Sequence, residues 1–178
     1  MNLSAKPVLT GEKTVLRPFT ASDADPMWQL IQDPEVVHFT FEPSTELTLE
    51  RLRSLYGARA TLPDRLDLAV TDPATRSCTF RTLIGPRGRD RGIGTEATRL
   101  ILGYGFEQLG LHRVQLEVYG HNHRARRVYE KVGFVVEGVR REARSRDGEW
   151  VDKVVMGLLD REWSAHRGHP EGVTSTAR

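Results

Sequence analysis

The segment 89–94, RDRGIG, places two glycines and two arginines directly before a stretch that reads as an amphipathic helix from Thr95 onward. Because glycine has no Cβ, the backbone at Gly92 and Gly94 can approach a ligand closely. The first N–H groups of a helix lack intrahelical partners, and the positive end of the helix dipole points at the same place. The segment therefore predicts a site for a phosphate-bearing ligand, although the pattern alone also fits an ordinary Gly-rich turn.

The elements that must position this loop follow it in a regular order. Apolar residues at helical spacing predict a helix over Thr95–Leu109, which Gly110 ends. Alternating apolar and polar residues predict a strand over His112–Tyr119. The elements predicted beyond that strand are a turn at 120–122, a short helix at Arg124–Lys131 ended by Gly133, and a strand at Phe134–Val139.

Two motifs in this order resemble those of the GNAT superfamily of acetyl-CoA-dependent N-acyltransferases. They stand here as Arg89-x-x-Gly92-x-Gly94 and Asn122-x-x-Ala125-x-x-x-Tyr129-x-x-x-Gly133-Phe134. The opening at 15–19 (VLRPF) and the ending at 146–152 (RDGEWVD), followed by VMGLL at 155–159, are similar to the ribosomal-protein N-terminal (alanine/serine) acetyltransferase branch. The resemblance covers roughly residues 12–163.

The resemblance implies an α/β fold: a mixed, mainly antiparallel, twisted sheet flanked by helices. Its one parallel pair is Ser77–Ile84 with His112–Tyr119, joined by a right-handed crossover through the helix. In the family three antiparallel strands precede the loop, whereas here the predicted strand Leu66–Thr71 is followed almost at once by Ser77. A strand is therefore predicted to be missing between residues 71 and 77. Three arrangements remain open: a hairpin of the two flanking strands, an irregular segment over 60–76, or repair by a partner chain.

The early part of the chain predicts one strand and two helices. The strand is Lys13–Phe19, the first helix is capped by Ser22 or Asp23 and runs to about Ile31, and the second covers Leu47–Ala60. If a strand is missing, these elements dock differently from those of the family. The family's acceptor site draws on the early helices, so we expect an intact acyl-CoA site beside an altered acceptor cleft.

The resemblance implies acetyl-CoA as the acyl donor. We expect a backbone N–H near Leu83 to polarise the acetyl carbonyl, and Asn122 to cap the following helix, to bond the cofactor arm, or to do both. Glu96, an acid in a first helical turn, is expected to be structural. The residues implied to bind the cofactor are Leu83, Arg89, Arg91, Gly92, Ile93, Gly94, Thr95, Asn122 and Arg127.

The resemblance also implies two catalytic residues. Tyr129 is the candidate general acid for the departing thiolate, because a phenol with a pKa near 10 stays protonated at neutral pH; the alternative is a tyrosine that only packs on its helix. Glu117 is the candidate general base acting through water, or else a cross-strand polar contact. An α-amine, with a pKa of about 7.7–8.0, needs less help from a base than a lysine, with a pKa of about 10.4. The sequence marks a general base only weakly, and this favours an N-terminal amine over a lysine as the acceptor.

Composition restricts the classes of protein that remain. The 178 residues, 38% hydrophobic and 28% charged, predict one globular domain over 1–163 with a mobile tail at 164–178. No stretch is long enough to span a membrane, and the first residues lack a signal-peptide core. The single cysteine, Cys78, excludes an internal disulfide and fits a cytoplasmic location.

Charge and histidine placement disfavour other partners. A net charge of +2 is too small to argue for nucleic acid, although clustered arginines keep an RNA-associated acetyltransferase as a third hypothesis. His121 and His123 have no carboxylate or cysteine at ligand spacing, so no metal site is expected. The function predicted is acetyl transfer to a primary amine, either a protein N-terminus or a small molecule. The alternative is an acyl-CoA-binding module with impaired turnover. A homodimer would cover apolar surface exposed by a missing strand.

Overall fold

The computed structural model describes residues 6–40, 47–59, 65–66, 69–72, 74–146 and 148–167. The strands are β1 (Leu9–Thr10), β2 (Val15–Leu16), β3 (Arg65–Leu66), β4 (Ala69–Asp72), β5 (Ser77–Phe80), β6 (Arg113–Tyr119), β7 (Val135–Arg146) and β8 (Glu149–Leu159). The helices are α1 (Ala24–Ile31), α2 (Pro34–Thr40), α3 (Leu49–Arg59), α4 (Ile93–Gly103), α5 (His123–Val132) and α6 (Asp160–His166). Within these ranges no helix is long and apolar enough to cross a lipid bilayer.

In the described part of the chain, the main sheet has six strands in the order β3-β4-β5-β6-β8-β7, and β1 pairs with β2 in a separate hairpin. Every neighbouring pair is antiparallel except β5 and β6, which are parallel. The predicted mixed, mainly antiparallel sheet with one parallel pair is therefore confirmed. Alternate residues of β6, Val114, Leu116 and Val118, are buried on one face, as the alternating pattern indicates.

The parallel pair separates after a short contact. The register runs only from Ser77 opposite Arg113 to Thr79 opposite Gln115, whereas β6 continues against β8 as far as Tyr119 opposite Lys153. β5 therefore ends at Phe80 and not at Ile84, because from residue 81 the chain leaves β6 and lines a cleft. The two parallel strands therefore separate beyond Thr79.

The predicted missing strand is not confirmed. The expected strand Leu66–Thr71 is two strands: β3 pairs antiparallel with β4, and β4 forms a hairpin with β5 from Ala69 opposite Phe80 to Asp72 opposite Ser77. Among the described residues, three consecutive antiparallel strands of the main sheet thus precede the loop, and the first of them has two residues. Of the three open arrangements, the hairpin is the one observed, and a further short strand extends it. Periodicity alone did not reveal the break between β3 and β4.

The N-terminal hairpin is fastened to α4 by Glu96. The predicted strand Lys13–Phe19 shrinks to the two residues of β2, which pair with β1. The Glu96 carboxylate accepts hydrogen bonds from Glu12 N (2.6 Å), Lys13 N (3.0 Å) and Thr14 Oγ1 (2.7 Å). These bonds, with that of the Thr14 hydroxyl first, lower the pKa of Glu96. Its predicted structural role is confirmed.

The early helices differ from the prediction mainly by one addition. α1 begins after Asp23, whose carboxylate accepts from Thr20 N (2.8 Å) and is paired with Arg17; the second predicted helix is α3. Between them lies α2, which was not predicted. Asp33 Oδ1 accepts from Val36 N (3.1 Å), and Pro34 occupies the first helical turn. This is the usual signature of a helix N-terminus, and it was present in the sequence.

Two apolar clusters lie on either side of a cleft. The main one packs α4, α5 and α6 on the sheet, and its centre includes Phe80, Leu102, Leu116, Met156 and Leu158. The second joins α1 to α3 through Ala24, Leu52 and Tyr56. α6 runs past residue 163 to His166 and buries Trp163, whose Nε1 donates to Glu107 (3.0 Å). The predicted mobile tail lies, beyond residue 167, outside the described residues.

Candidate active site

A cleft of about 1120 Å³ opens where β5 and β6 separate. One wall is the segment 81–84 with the loop that leads to α4, and the floor is the outer half of β6. α5 contributes a second wall, and α1, α2 and α3 contribute a third. The cleft therefore joins the two predicted motifs to the early helices.

The loop before α4 has the backbone geometry of an anion site. Asp90 (φ 55°) and Gly92 (φ 78°) both have left-handed conformations, which turn successive N–H groups toward a common point. The first hydrogen bond at the start of α4 is from Glu96 N to Gly92 O (3.0 Å). The N–H groups before it have no partner within the helix, and Gly92, Gly94 and Thr95 line the cleft.

Gly94 leaves space that the protein itself does not fill. A Cβ at this position would lie 3.5 Å from Ile84 Cγ1, an ordinary van der Waals contact. Packing within the chain therefore does not require glycine here. A ligand that closely approaches the backbone does require glycine here. The backbone of Gly92–Thr95, called the cradle below, therefore fits the phosphates of an acyl-CoA.

A carboxylate from α2 joins two cleft arginines. Glu35 forms ion pairs with Arg89 and with Arg124, whose Nη2 lies 3.3 Å from Glu35 Oε1. The Arg89 side chain is only 10% exposed, and its Nε donates to Ile84 O (3.2 Å). Sequence reasoning missed Glu35, because it missed α2.

The structure brings most of the predicted cofactor residues together. Those that line the cleft are Leu83, Arg89, Gly92, Gly94, Thr95 and Asn122. Arg91, Ile93 and Arg127 are not among the lining residues; Arg91 Nη1 donates instead to Arg87 O (3.2 Å). Asn122 caps α5, since its Oδ1 accepts from Ala125 N (3.1 Å). Its predicted capping role is confirmed, and a bond to the cofactor stays a prediction.

Tyr129 lies on α5 at the cleft wall and is 8% exposed. Its ring meets Phe80 edge-on at 6.3 Å between centroids and Phe134 at 5.8 Å. Burial raises the pKa of Tyr129 to about 12, because a phenolate would lose its hydration. The side chain therefore keeps its proton throughout the physiological range and presents a donor to the cleft.

Glu117, on the cleft floor, is held by two cations. Its Oε1 accepts from Arg140 Nη1 (2.6 Å) and its Oε2 from Lys153 Nζ (2.9 Å), across β7 and β8. The bond from Lys153 contributes most to lowering the pKa of Glu117, and that from Arg140 adds to it. The cross-strand contact foreseen for Glu117 is confirmed. A role as general base is compatible with its place in the cleft and stays a prediction.

The family model described as "Acetyltransferase (GNAT) domain" matches residues 13–135, more than half of the chain. The chain belongs to this family. It is similar to spermidine N(1)-acetyltransferase of Escherichia coli (strain K12), with 27% identity over 172 residues that cover 87% of this chain and 90% of the relative. Among solved structures, a spermidine N-acetyltransferase from Vibrio cholerae in complex with CoA and spermine superposes with a TM-score of 0.68. The alignment covers 83% of this chain and 96% of that one at 23% identity.

The ribosomal-protein branch within the GNAT family is not confirmed. YdaF of Bacillus subtilis (strain 168), named as a candidate ribosomal N-acetyltransferase, is 33% identical over 102 residues. That match covers 57% of this GNAT chain and 56% of YdaF. The relatives with longer matches include the spermidine enzyme, so the family is shown and the branch is not.

The cleft of this GNAT protein combines three chemical elements. Backbone donors and arginines at the start of α4 and α5 fit a polyanion, the segment around Leu83 runs along the opening between β5 and β6, and Tyr129 adds a protonated hydroxyl. GNAT acetyltransferases use acetyl-CoA, and the residues present fit that donor. Arg59, Arg140 and Lys153 were also missed by sequence reasoning. Arg140 belongs to a cluster of arginines but was given no role at this site, and no local pattern marks Arg59 or Lys153; the three reach the site from α3, β7 and β8.

Proposed function

We propose that this protein transfers an acetyl group from acetyl-CoA to a primary amine by direct attack of the amine. The observation that carries the proposal is that the Gly92–Thr95 cradle, the segment around Leu83 and the hydroxyl-bearing Tyr129 share one cleft. The cradle supplies backbone donors for phosphate. Bound acetyl-CoA supplies the acetyl group as a reactive thioester, so the chain need not provide a nucleophile of its own.

The chain's first task is to hold and polarise. The N–H groups at Gly92, Gly94 and Thr95 bind the pyrophosphate, with Arg89 and Arg124 as neighbouring cations. Because β5 stops pairing with β6 at Thr79, the backbone around Leu83 is placed along the opening, where its N–H can donate to the acetyl oxygen. Such donors act on charge that develops during the reaction, which is why they accelerate it.

Glu117 and Tyr129 handle the protons. Glu117 stays ionised because Lys153 and Arg140 stabilise its charge, so it orients the amine or a water molecule that accepts the amine proton. Tyr129 donates a hydrogen bond to the departing sulfur. Since the pKa of Tyr129, about 12, exceeds the usual thiol value of about 8.5, this bond stabilises negative charge on sulfur more than it delivers a free proton.

The proposed acceptor is an α-amine. A weakened base suits an amine that is already partly neutral, so an α-amine fits better than a lysine side chain. A ribosomal-protein N-terminus is one such acceptor and a small molecule is another. A cytoplasmic location completes the proposal. The homodimer expected from a missing strand has lost its ground, because β3, β4 and β5 pair in sequence before the loop.

Titration of acetyl-CoA into the protein, followed by measurement of thiol release with a panel of amines and peptide N-termini, tests this function. We expect micromolar binding and amine-dependent release. Binding without release from any amine would favour the alternative, an acyl-CoA-binding module. An absence of binding would refute the assignment of the cradle.

A further inference from the structure

Arg59 is a cation without an anion in the described part of the chain. It lies at the C-terminal end of α3 and lines the cleft. Its guanidinium carbon is 5.1 Å from the centroid of the Tyr56 ring, and its Nε is buried with no hydrogen-bond partner among the described residues. A buried donor left unsatisfied costs free energy, so an arginine in this position indicates that a ligand supplies the missing acceptor.

The surroundings of Arg59 belong to the acceptor side of the cleft. Tyr56 is 4% exposed and stacks on Phe19 with 4.5 Å between centroids. Leu52 and Leu55 add an apolar surface from the same helix. None of these residues belongs to the α4 loop or to α5, which bind the donor in the proposed function. Leu52, Leu55 and Tyr56 are called the Tyr56 wall below. A ligand bound here would place an apolar group against this wall and an anionic group beside Arg59.

The charge of the cleft points the same way. Beside Arg89 and Arg124, the described lining contains four cations, Arg59, Arg81, Arg144 and Lys153, and two acids, Asp90 and Glu117. Glu117 is bonded by Arg140 and by Lys153, which leaves Arg59, Arg81 and Arg144 against Asp90. A polyammonium acceptor would therefore be repelled by the lining that is described, whereas an acceptor with an anionic group would be attracted.

We propose that the acceptor is an amine that also carries a carboxylate, and that Arg59 binds this carboxylate while the Tyr56 wall covers an apolar part of the acceptor. The inference rests on the proposed acetyl transfer and specifies its substrate class. A guanidinium suits this task because its paired N–H groups match the two carboxylate oxygens. The carboxylate belongs either to a free amino acid or to an acidic side chain near a peptide N-terminus.

Binding of acetylated products to the CoA complex tests this inference without requiring turnover. The probes are N-acetyl-L-leucine, which has a free carboxylate, and N-acetyl-L-leucinamide, which has none. An N-acetyl-aspartyl dipeptide amide serves as the side-chain-carboxylate probe, because its C-terminus is amidated and its side chain carries the carboxylate. Calorimetry is performed on the wild type, Arg59→Gln, Arg59→Lys and the matched control Arg53→Gln, since Arg53 lies on the same helix, pairs with Asp25 and is not among the described lining residues.

We expect wild type to bind at least one carboxylate probe ten-fold or more tightly than the neutral amide. Arg59→Gln should remove this preference, Arg59→Lys should restore part of it, and Arg53→Gln should keep it. The carboxylate probe that is preferred identifies the source. Thermal melts of the variants check that each is folded.

Several outcomes would overturn the inference. They are equal binding of acid and amide, no binding of any carboxylate probe, tighter binding of N1-acetylspermidine, or an equal loss of CoA binding in Arg59→Gln. The proposed function fails by a separate measurement, namely if acetyl-CoA does not bind or if no amine releases its thiol. Release that is fastest with polyamines would retain the function and reject the carboxylate.

Discussion

Tyr129 is both part of the apolar core and part of the cleft lining. Its ring packs against Phe80 and Phe134 in the main apolar cluster, and its hydroxyl-bearing side chain also lines the cleft. Burial therefore serves both packing and chemistry, because it keeps the phenol protonated. Glu117 shows the opposite case, in which partly exposed cations keep a carboxylate ionised.

Replacement Tyr129→Phe separates these two roles. We expect kcat for acetyl transfer to fall by about 100-fold, in the range typical for loss of a positioned proton donor. The dissociation constant for acetyl-CoA and the thermal midpoint should change little, since the ring remains. Tyr104→Phe, at the end of α4, is the matched control. Retention of full kcat in Tyr129→Phe would reject its catalytic role.

The titration of Tyr129 gives an independent check. The folded pKa of about 12 lies above the unfolded value of about 10. The protonated group thus stabilises the fold below pH 10, and that contribution is lost as the pH rises through 12. Absorbance at the tyrosinate band should reveal a late ionisation in the wild type that is absent in Tyr129→Phe. Ionisation of all tyrosines near pH 10 before unfolding would contradict this.

At the scale of elements, α2 connects the donor site to the acceptor wall. Its Glu35 pairs with Arg89 from the glycine loop and with Arg124 from α5, while Val36 is buried beside the cleft. α2 also reaches the turn before α5, because His38 O lies 3.0 Å from His121 Nε2. The helix that sequence reasoning missed therefore contacts both motifs that sequence reasoning found.

Replacement Glu35→Gln should strengthen acetyl-CoA binding. The phosphates and the Glu35 carboxylate compete for the same two arginines, so removing one competitor should lower the dissociation constant roughly 2- to 5-fold, the effect expected for a partly exposed ion pair. An acetylated pantetheine without the phosphates should bind equally to both proteins. Glu130→Gln removes the exposed Arg126 pair on α5 and serves as control. Weaker acetyl-CoA binding in Glu35→Gln would contradict the competition.

For the whole molecule, two apolar clusters stabilise the two sides of one cleft. The main cluster holds the sheet and the donor elements, and the second holds α1 against α3 on the acceptor side.

The sequence predicted α4, β6 and α5 well, because each is bounded by glycine or asparagine and has clear periodicity. It did less well before residue 77, where strands of two to four residues carry little periodic signal.

Replacement Leu52→Ala should affect the acceptor side alone. Leu52 is 5% exposed, so the cavity should lower the free energy of unfolding by about 2–4 kcal/mol and raise KM for the amine. The dissociation constant for acetyl-CoA should stay unchanged. Leu158→Ala, in the main cluster and away from the cleft, is the matched control and should lower stability without raising the amine KM. A parallel loss of donor and acceptor binding in Leu52→Ala would show that the two sides are not separable.

The local order of glycines, asparagine and apolar repeats by itself determined the donor half of this protein. The backbone conformations that it specifies, such as the left-handed Gly92 and the Asn122 cap, depend on neighbouring residues. Only the tertiary structure decided the partners of Glu117, the pairing of Glu35 with two arginines and, among the described residues, the lack of a hydrogen-bond acceptor for Arg59 Nε. These are contacts between side chains far apart in the chain, and their charges become informative only when folding brings them within a few ångströms of one another.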